Sequence, residues 1–131
     1  MILVDTSAWV ELFRGTRSPT HLQLRELLEA DEDSVAVTGA VVMEVLAGAT
    51  GAAQAAELRR GMAGVQLLPL NEPEDFEFAA SIYRLVRADG HTVRTQIDCL
   101  IAAVAIRSEV PVLTRDADFE AIAAVTPLQL A

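Results

Sequence analysis

Short apolar runs alternate with longer stretches of helical periodicity along the whole chain. The runs at residues 2–4, 35–37, 65–68 and 112–113 have the length and β-branched composition of buried strands, and Leu128 to Leu130 resembles a terminal strand. Strands that alternate with helices in this way usually form a mainly parallel sheet. The pattern therefore predicts an α/β fold, with a mainly parallel central sheet flanked by helices.

Capping residues and apolar positions at helical spacing predict the helices between these strands. Asp5, Thr6 and Ser7 offer N-cap side chains for a first helix that Gly15 ends. Ser18 starts a second helix, whose inner face is expected to carry Leu22, Leu24, Leu27 and Leu28. The other predicted helices run from Thr38 to Ala47, over 52–63, from Asn71 to Ala88 (with Phe76, Ala79, Ala80, Tyr83 and Val86 at helical spacing), from Thr95 onward and from Asp118 to Ala124.

Length and composition agree with an ordinary globular domain. The 131 residues suit one domain, expected to span 1–131, and an apolar content of 52% is ample for a core. No apolar run approaches the ~20 residues of a membrane span, and no signal peptide is visible. Cys99 is the only cysteine, so no internal disulfide is possible. These features lead us to expect a cytoplasmic protein that does not associate with membranes.

Four acidic residues stand where a charge would contribute little to an ordinary fold. Asp5 ends the first apolar run, Asp116 follows the run that ends at Leu113, and Glu44 and Asp98 lie inside strongly apolar helical patterns. Ligands of open α/β sheets bind outside the carboxyl ends of the strands, and all four acids can reach that edge. Grouped carboxylates would repel one another unless a cation neutralised them, and hard divalent cations prefer such oxygen ligands. The pattern favours metal-assisted chemistry on phosphates.

Each acid also has a purely structural explanation. Asp5 could cap the first helix, and Asp116 and Asp118 could complement the dipole of the short helix that follows them. Thr95 and Asp98 have the spacing of a capping box. Glu44 could lie on a solvated edge of its helix, although no basic residue lies one turn away.

The charge balance removes several classes of function. The net charge is −9, and all ten basic residues are arginine. So acidic a chain is a poor candidate for broad, nonspecific nucleic-acid binding, which rests on neutralising phosphates. A Walker-type phosphate loop requires a lysine. The absence of lysine likewise argues against a phospho-accepting receiver domain or a haloacid-dehalogenase-type phosphatase.

Residues near the four acids have candidate supporting roles. Ser7 and Thr114 could orient a carboxylate or hold a water molecule, or could simply cap a helix and close a strand end. Arg115 could steer phosphate or be an exposed turn residue. Trp9 and Phe13 are most simply core residues, although an exposed edge of their helix could receive a partner. His21 and His91 lack partners at metal-ligand spacing and are expected at the surface.

Four motifs taken in order resemble those of PIN-domain ribonucleases, and specifically the VapC-type toxins of type II toxin–antitoxin systems. The opening Ile2-Leu3-Val4-Asp5-Thr6-Ser7-Ala8 is similar to the first strand and first acid of that family. The later motifs are Glu44-Val45-Leu46-Ala47-Gly48, Asp98-Cys99-Leu100-Ile101-Ala102-Ala103 and Leu113-Thr114-Arg115-Asp116-Ala117-Asp118-Phe119. Each motif is degenerate alone, but their order and spacing along the whole chain are specific.

The resemblance implies a PIN-like fold and an endoribonuclease that depends on Mg²⁺ or Mn²⁺ and cuts structured RNA, such as tRNA or rRNA, with metal-activated water. Asp5, Glu44, Asp98 and Asp116 would be catalytic and hold the metal, with Asp118 as a peripheral ligand. It also implies a homodimer and a VapB-type antitoxin. The antitoxin's tail would lie near Trp9 and Phe13 and place an arginine among the acids.

Two other functional classes stay open at this point. One is a non-catalytic PIN-like scaffold that binds RNA or protein, against which the intact set of four acids argues. The other is a phospho-accepting signalling domain built on Asp5 or Asp116, against which the absence of lysine argues.

Overall fold

A four-stranded parallel sheet forms the centre of the molecule in the computed structural model, which describes residues 1–131. The strands are β1 (Ile2–Val4), β2 (Val35–Val37), β3 (Gln66–Leu67) and β4 (Val112–Leu113), arranged in the order β3-β2-β1-β4. Leu3 pairs with Ala36 on one side and with Val112 on the other. Since β1 lies between β2 and β4, the residue that follows β1 emerges in the middle of the sheet edge.

Seven helices connect and cover the strands, and most begin where the capping residues predict. They are α1 (Thr6–Arg14), α2 (Pro19–Ala30), α3 (Gly39–Ala47), α4 (Ala52–Gly61), α5 (Glu74–Ala88), α6 (Gln96–Arg107) and α7 (Asp118–Val125), with a short 3₁₀ turn at Glu32–Ser34. Asp5, Ser18, Thr38 and Thr95 each accept a hydrogen bond from a backbone N–H in the first turn of a helix. The predicted α/β class, with a mainly parallel sheet flanked by helices, is confirmed.

The core lies on both faces of the sheet and is most complete around α6. Leu3, Val4, Val35 and Ala36 are fully buried, which is the pattern expected of strands in a parallel sheet. α6 is buried at seven of its twelve residues, Asp98 among them, which explains why its sequence is apolar almost all round. No helix combines the length and the apolar character needed to span a membrane.

A buried ion pair fixes the start of α5 against the end of α6. Asp75 is 2% exposed and accepts two hydrogen bonds of 2.9 Å from the guanidinium of Arg107. Arg107 also donates to the carbonyl oxygen of Pro69 at 2.7 Å. Burial acts to raise the pKa of Asp75, but the hydrogen bonds from Arg107 and from the Asn71 backbone outweigh it and lower that pKa. The pair therefore has a structural role.

Four details differ from the sequence predictions. Leu22 is 47% exposed, because the inner face of α2 is formed by Leu24 with Leu27 and Leu28. His21 is buried rather than at the surface, and its Nδ1 accepts from the backbone N–H of Arg17 at 2.8 Å. The predicted terminal strand is reduced to a single parallel bridge between Val112 and Leu130.

The fourth difference concerns α5, where the apolar stripe identified in the sequence divides into two. Ala79, Ile82 and Val86 are buried, whereas Phe76 and Ala80 are exposed. The exposed part lines a groove between α5 and α6 of about 460 Å³, together with Tyr83, Ile97 and Leu100. One helix thus presents one face to the core and a second apolar face to solvent.

Candidate metal centre

The carboxyl ends of the parallel strands bring the predicted acids to one edge of the sheet. Asp5 directly follows β1, and Asp116 lies just beyond β4. Thr38, which follows β2, caps α3 and so places Glu44 above the same edge. Asp98 is in the first turn of α6. Four separate elements therefore each contribute one acid.

Two overlapping groups of three carboxylates result. Asp5, Glu44 and Asp98 form the inner triad, and Asp98, Asp116 and Asp118 form the outer triad. Within each triad, one oxygen from each residue lies within 4.8 Å of the others. Asp98 belongs to both triads and is therefore the centre of the arrangement. Asp118, predicted as a peripheral ligand, is a full member of the outer triad.

Asp5 has one oxygen fully occupied and one free. Its Oδ2 accepts from Ser7 Oγ at 2.8 Å, from Thr114 Oγ1 at 3.0 Å and from the Ser7 backbone N–H at 3.3 Å. Its Oδ1 is buried and has no hydrogen-bond partner. Burial raises the pKa of Asp5, and these hydrogen bonds only partly offset the rise. Capping explains Oδ2 and leaves Oδ1 without a structural role.

The carboxyl group of Asp98 has fewer structural contacts than that of Asp5. It is 4% exposed, and its Oδ2 is buried with no partner. The Thr95 side chain accepts from the backbone N–H of Ile97, not from that of Asp98, so the expected capping box is not formed. Burial, together with the negative charges of Asp5, Asp116, Glu44 and Asp118, raises the pKa of Asp98 to about 7. The fold therefore holds this carboxyl in a position that is unfavourable without a cation.

Glu44 is half-buried and is held by a residue that the sequence analysis missed. Thr6 donates its hydroxyl hydrogen to Glu44 Oε1 at 2.7 Å, which links the start of α1 to α3. Burial raises the pKa of Glu44, the hydrogen bond from Thr6 lowers it, and the charges of Asp5 and Asp116 raise it further. Thr6 escaped notice because its place beside Asp5 suggested only helix capping.

The donor set fits a hard divalent cation. All five residues offer carboxylate oxygens, with no histidine or cysteine among them, and such sets suit Mg²⁺ or Mn²⁺. Two buried oxygens without partners, Asp5 Oδ1 and Asp98 Oδ2, lie in the inner triad. Buried polar atoms are nearly always satisfied, so these two orphans favour a cation as the missing partner.

Comparison with known proteins identifies the family to which the chain belongs. The family model for the PIN domain matches residues 2–125. The chain belongs to the PIN domain family. Ribonuclease VapC11 of Mycobacterium tuberculosis is 45% identical over 131 residues, which cover 100% of this chain and 98% of the relative. This similarity confirms the resemblance to VapC-type PIN ribonucleases that the four motifs predicted.

Two solved structures share the PIN fold at lower sequence identity. VapBC2 from Rickettsia felis, bound to a DNA fragment from the promoter, superposes with a TM-score of 0.76 at 16% identity, covering 100% of this chain and 98% of that one. VapC20 of Mycobacterium tuberculosis, described as a sarcin–ricin loop cleaving toxin, gives a TM-score of 0.67 at 20% identity, covering 98% and 99%. At these identities the likeness concerns the fold.

Ser7 and Thr114 link the ends of the neighbouring strands β1 and β4 of this PIN domain beneath its acids. Their hydroxyl oxygens lie 3.2 Å apart, and both contact Asp5 Oδ2. Thr114 also accepts from the Asp116 backbone N–H at 2.9 Å, and Ser7 from the Arg115 backbone N–H at 2.8 Å. The two hydroxyls therefore hold Asp5 Oδ2 and the loop that carries Asp116, and their role in a metal site stays a prediction.

The Arg115 side chain is directed to an acid outside the two triads. Its Nε lies 3.6 Å from Glu11 Oε1 in a partly exposed ion pair. The side chain is 47% exposed. Contact of Arg115 with phosphate thus stays a prediction.

A second arginine of the PIN domain, Arg94, contacts the outer triad and was not identified from the sequence. Its Nη2 lies 2.8 Å from Asp116 Oδ2 and its Nε lies 3.4 Å from Asp118 Oδ2. Its backbone N–H also donates to Asp118 Oδ2 at 3.0 Å. Arg94 lies in the mainly polar segment 89–94 between two predicted helices, and no pattern in the sequence places that segment beside Asp116.

The predicted partner-binding pair divides into one surface residue and one core residue. Trp9 is fully buried and stacks on Phe13, with ring centroids 5.7 Å apart, so the expectation that Trp9 itself contacts a partner is wrong. Phe13 is half-buried and lines a groove of about 460 Å³ between α1, α3 and α4. Glu44, Arg14 and Glu57 also line this groove, so it leads directly to the inner triad.

Proposed function

We propose that this protein is an endoribonuclease dependent on Mg²⁺ or Mn²⁺, and that it acts as the toxin of a toxin–antitoxin pair. The observation that carries the proposal is the pair of acid triads sharing Asp98, with two buried carboxylate oxygens that have no partner. The full-length similarity to VapC11 supports the ribonuclease class. We propose Asp5, Glu44, Asp98, Asp116 and Asp118 as the metal ligands.

The proposed mechanism assigns a distinct task to each part of the site. A divalent cation supplies positive charge that activates a water molecule and offsets the charge growing on the scissile phosphate. Asp5, Glu44 and Asp98 would hold this cation at the edge of the sheet. Ser7, Thr114 and Thr6 fix the carboxylates of Asp5 and Glu44, so little reorganisation is needed when the phosphate arrives.

The proposed substrate is structured RNA, such as tRNA or a ribosomal loop. VapC20, which shares the fold, is described as cleaving the sarcin–ricin loop. With a net charge of −9, a bound cation would supply positive charge to the RNA-binding surface, because the acids alone would repel a phosphate backbone. Such a substrate is cytoplasmic, and we propose the same location for the protein.

The proposed antitoxin is of the VapB type and has an extended tail with apolar and arginine side chains. The groove between α1, α3 and α4 offers Phe13, Val10 and Leu58 for apolar contact. Glu44 and Glu57 in the same groove offer carboxylates to an arginine. Expression of the chain alone should arrest growth, and co-expression with such an antitoxin should relieve the arrest. Normal growth with active protein made alone would contradict the toxin function.

Chelation and repletion test the enzyme activity directly. Cleavage of bacterial RNA should vanish in EDTA and return with Mg²⁺ or Mn²⁺, and Asp98→Asn should lose it by orders of magnitude. Asp89→Asn is the matched control, because it removes the same charge from an exposed acid at the end of α5. Full activity after exhaustive chelation would overturn the proposal.

A further inference from the structure

Arg94 is the one cationic side chain that contacts the five clustered acids. It lies in the loop between α5 and α6, and its guanidinium bridges Asp116 and Asp118. The carboxylates of the inner triad, in contrast, are held by hydroxyl groups or have no partner. The two triads therefore differ in charge as well as in position: the outer one already has a positive group in place.

Arg94 combines a backbone fixed by a hydrogen bond with a largely exposed side chain. The backbone N–H donates to Asp118 Oδ2 at 3.0 Å, which anchors the loop. The side chain is 76% exposed, while those of Asp116 and Asp118 are 16% and 19% exposed. Ion pairs this exposed contribute little to stability, so the guanidinium can leave the acids at low cost.

We propose that Arg94 is the resting counter-cation of the outer triad, and that a divalent cation must displace its guanidinium to occupy that triad. This inference rests on the proposed function, since it assumes that the acids bind metal. The inner triad then binds its cation first, and the affinity of the outer triad is held down by the charge of Arg94.

The displaced guanidinium stays close to the centre, because the backbone of Arg94 remains bound to Asp118. A guanidinium released at that edge matches the paired oxygens of an RNA phosphate. Cation entry at the outer triad and phosphate contact by Arg94 would then favour each other, and such coupling is reciprocal. Arg94 is thus a positioning residue that links the second cation to the substrate.

Manganese titration of the complete chain without RNA tests this inference. Calorimetry and Mn²⁺ electron paramagnetic resonance would count the ions and give their affinities in wild type, Arg94→Gln and Arg94→Lys. Arg25→Gln is the matched control, since Arg25 forms an exposed ion pair with Glu29 on α2. Circular dichroism would verify that all variants are folded.

We expect wild type to bind one Mn²⁺ tightly and a second weakly. In Arg94→Gln the second Mn²⁺ should bind roughly tenfold more tightly, because a unit charge a few ångströms from a divalent ion has been removed. Arg94→Lys retains the charge and should stay close to wild type, as should Arg25→Gln. A purely structural role for Arg94 would not tighten metal binding.

The possible failures separate this inference from the proposed function. An unchanged second affinity in Arg94→Gln overturns the role of Arg94, while Mn²⁺ binding and RNA cleavage by wild type leave the nuclease standing. Equal tightening in Arg94→Lys and Arg94→Gln would also overturn it, because charge would then not be the cause. Absence of Mn²⁺ binding in both wild type and Arg94→Gln would reject the metal centre itself.

Discussion

Among the acids of the site, Asp98 has the most unfavourable electrostatic environment. It is buried, one of its oxygens has no partner, and it belongs to both triads. Its pKa of about 7, compared with an ordinary value of 3.8, means that the folded chain holds a proton that the unfolded chain releases. Without metal, a carboxyl with such a raised pKa stabilises the folded state while it is protonated and opposes folding once it is ionised.

Metal-free stability should therefore fall as the pH rises. Burial raises the pKa of Asp98 to about 7, so the folded state binds more protons than the unfolded state between the two pKa values. The stabilisation that protonated Asp98 contributes to the folded state is lost progressively between about pH 4 and about pH 7. It amounts to at most roughly 4 kcal/mol. Melting in EDTA between about pH 5 and pH 8 would measure the slope. A flat profile would contradict the raised pKa.

Asp98→Asn should separate stability from catalysis. Asparagine removes a charge from the cluster, so the metal-free variant should be at least as stable as wild type at pH ~8. Added Mg²⁺ should reduce or reverse this difference in stability between the variant and wild type. A ligand that binds only the folded state stabilises it, and asparagine is a poorer metal ligand than aspartate. Melting curves with and without Mg²⁺ would show both effects. A variant that lost ~1 kcal/mol yet cleaved normally would instead identify Asp98 as a simple cap.

For single residues, the sequence predicts the clustered acids better than the side chains that contact them. Asp5, Glu44, Asp98 and Asp116 interrupt apolar patterns, and such interruptions are visible without a structure. Thr6 and Arg94 occur in segments where a hydroxyl or a charge is ordinary, and only the folded chain places them beside Glu44 and Asp116. Trp9, which was both a core candidate and a partner-contact candidate, proves to be buried, because an aromatic residue on an amphipathic helix can face either side.

At the scale of elements, α1 and α3 are joined at the site by a single side-chain hydrogen bond. Thr6 lies at the start of α1, and it holds Glu44 near the end of α3. This contact lies at the boundary between the inner triad and the groove proposed for the antitoxin. The relative position of two helices therefore determines the position of one proposed metal ligand.

Replacing Thr6 with valine should weaken metal binding more than folding. The change keeps the shape of the side chain and removes one hydrogen bond, which costs ~1 kcal/mol of stability. Glu44 loses the contact that lowers its pKa and fixes its oxygen, so Mn²⁺ affinity should fall several-fold. Thr6→Ser keeps the hydroxyl and is the control. Equal Mn²⁺ affinity in Thr6→Val and Thr6→Ser would show that this contact does not serve the metal ligands.

The elements themselves were largely predictable, because their signals are local. Strand ends and N-caps appear in the sequence as short apolar runs followed by aspartate, serine or threonine. Which face of α5 is buried was not predictable, since its pattern contains two apolar stripes and the packing against α6 decides between them. The terminal segment pairs at one residue only, and β-propensity does not indicate over how many residues a segment will pair with its neighbour.

At the scale of the whole molecule, we propose the groove between α5 and α6 as the contact surface of the homodimer that the family resemblance implies. Phe76 is 47% exposed there, beside Tyr83, Ile97 and Leu100. An exposed apolar groove of this kind is typical of an interface between proteins. It lies apart from the groove lined by Phe13 and Glu44, so a second copy and an antitoxin would not compete for one surface.

Phe76→Glu should abolish the proposed dimer with little effect on the protomer. The side chain is already half exposed, so the substitution leaves the core intact and places a charge in the interface. Leu85→Glu is the matched control, because Leu85 is also 47% exposed on α5 but does not line the groove. Sedimentation or light scattering would give the mass. A dimer that persists in Phe76→Glu would assign the interface to another face.

The spread of the acids along the chain has a consequence for translation. The proposed ligands begin at Asp5 and end at Asp118, and they come from four elements and a loop that meet only in the finished sheet. A nascent chain whose residues 112–118 have not yet left the ribosome lacks β4, Asp116 and Asp118 at the sheet edge. It therefore cannot assemble the centre while the message is being translated. The proposed metal centre can therefore form only after Asp116 and Asp118 have been synthesised and have left the ribosome.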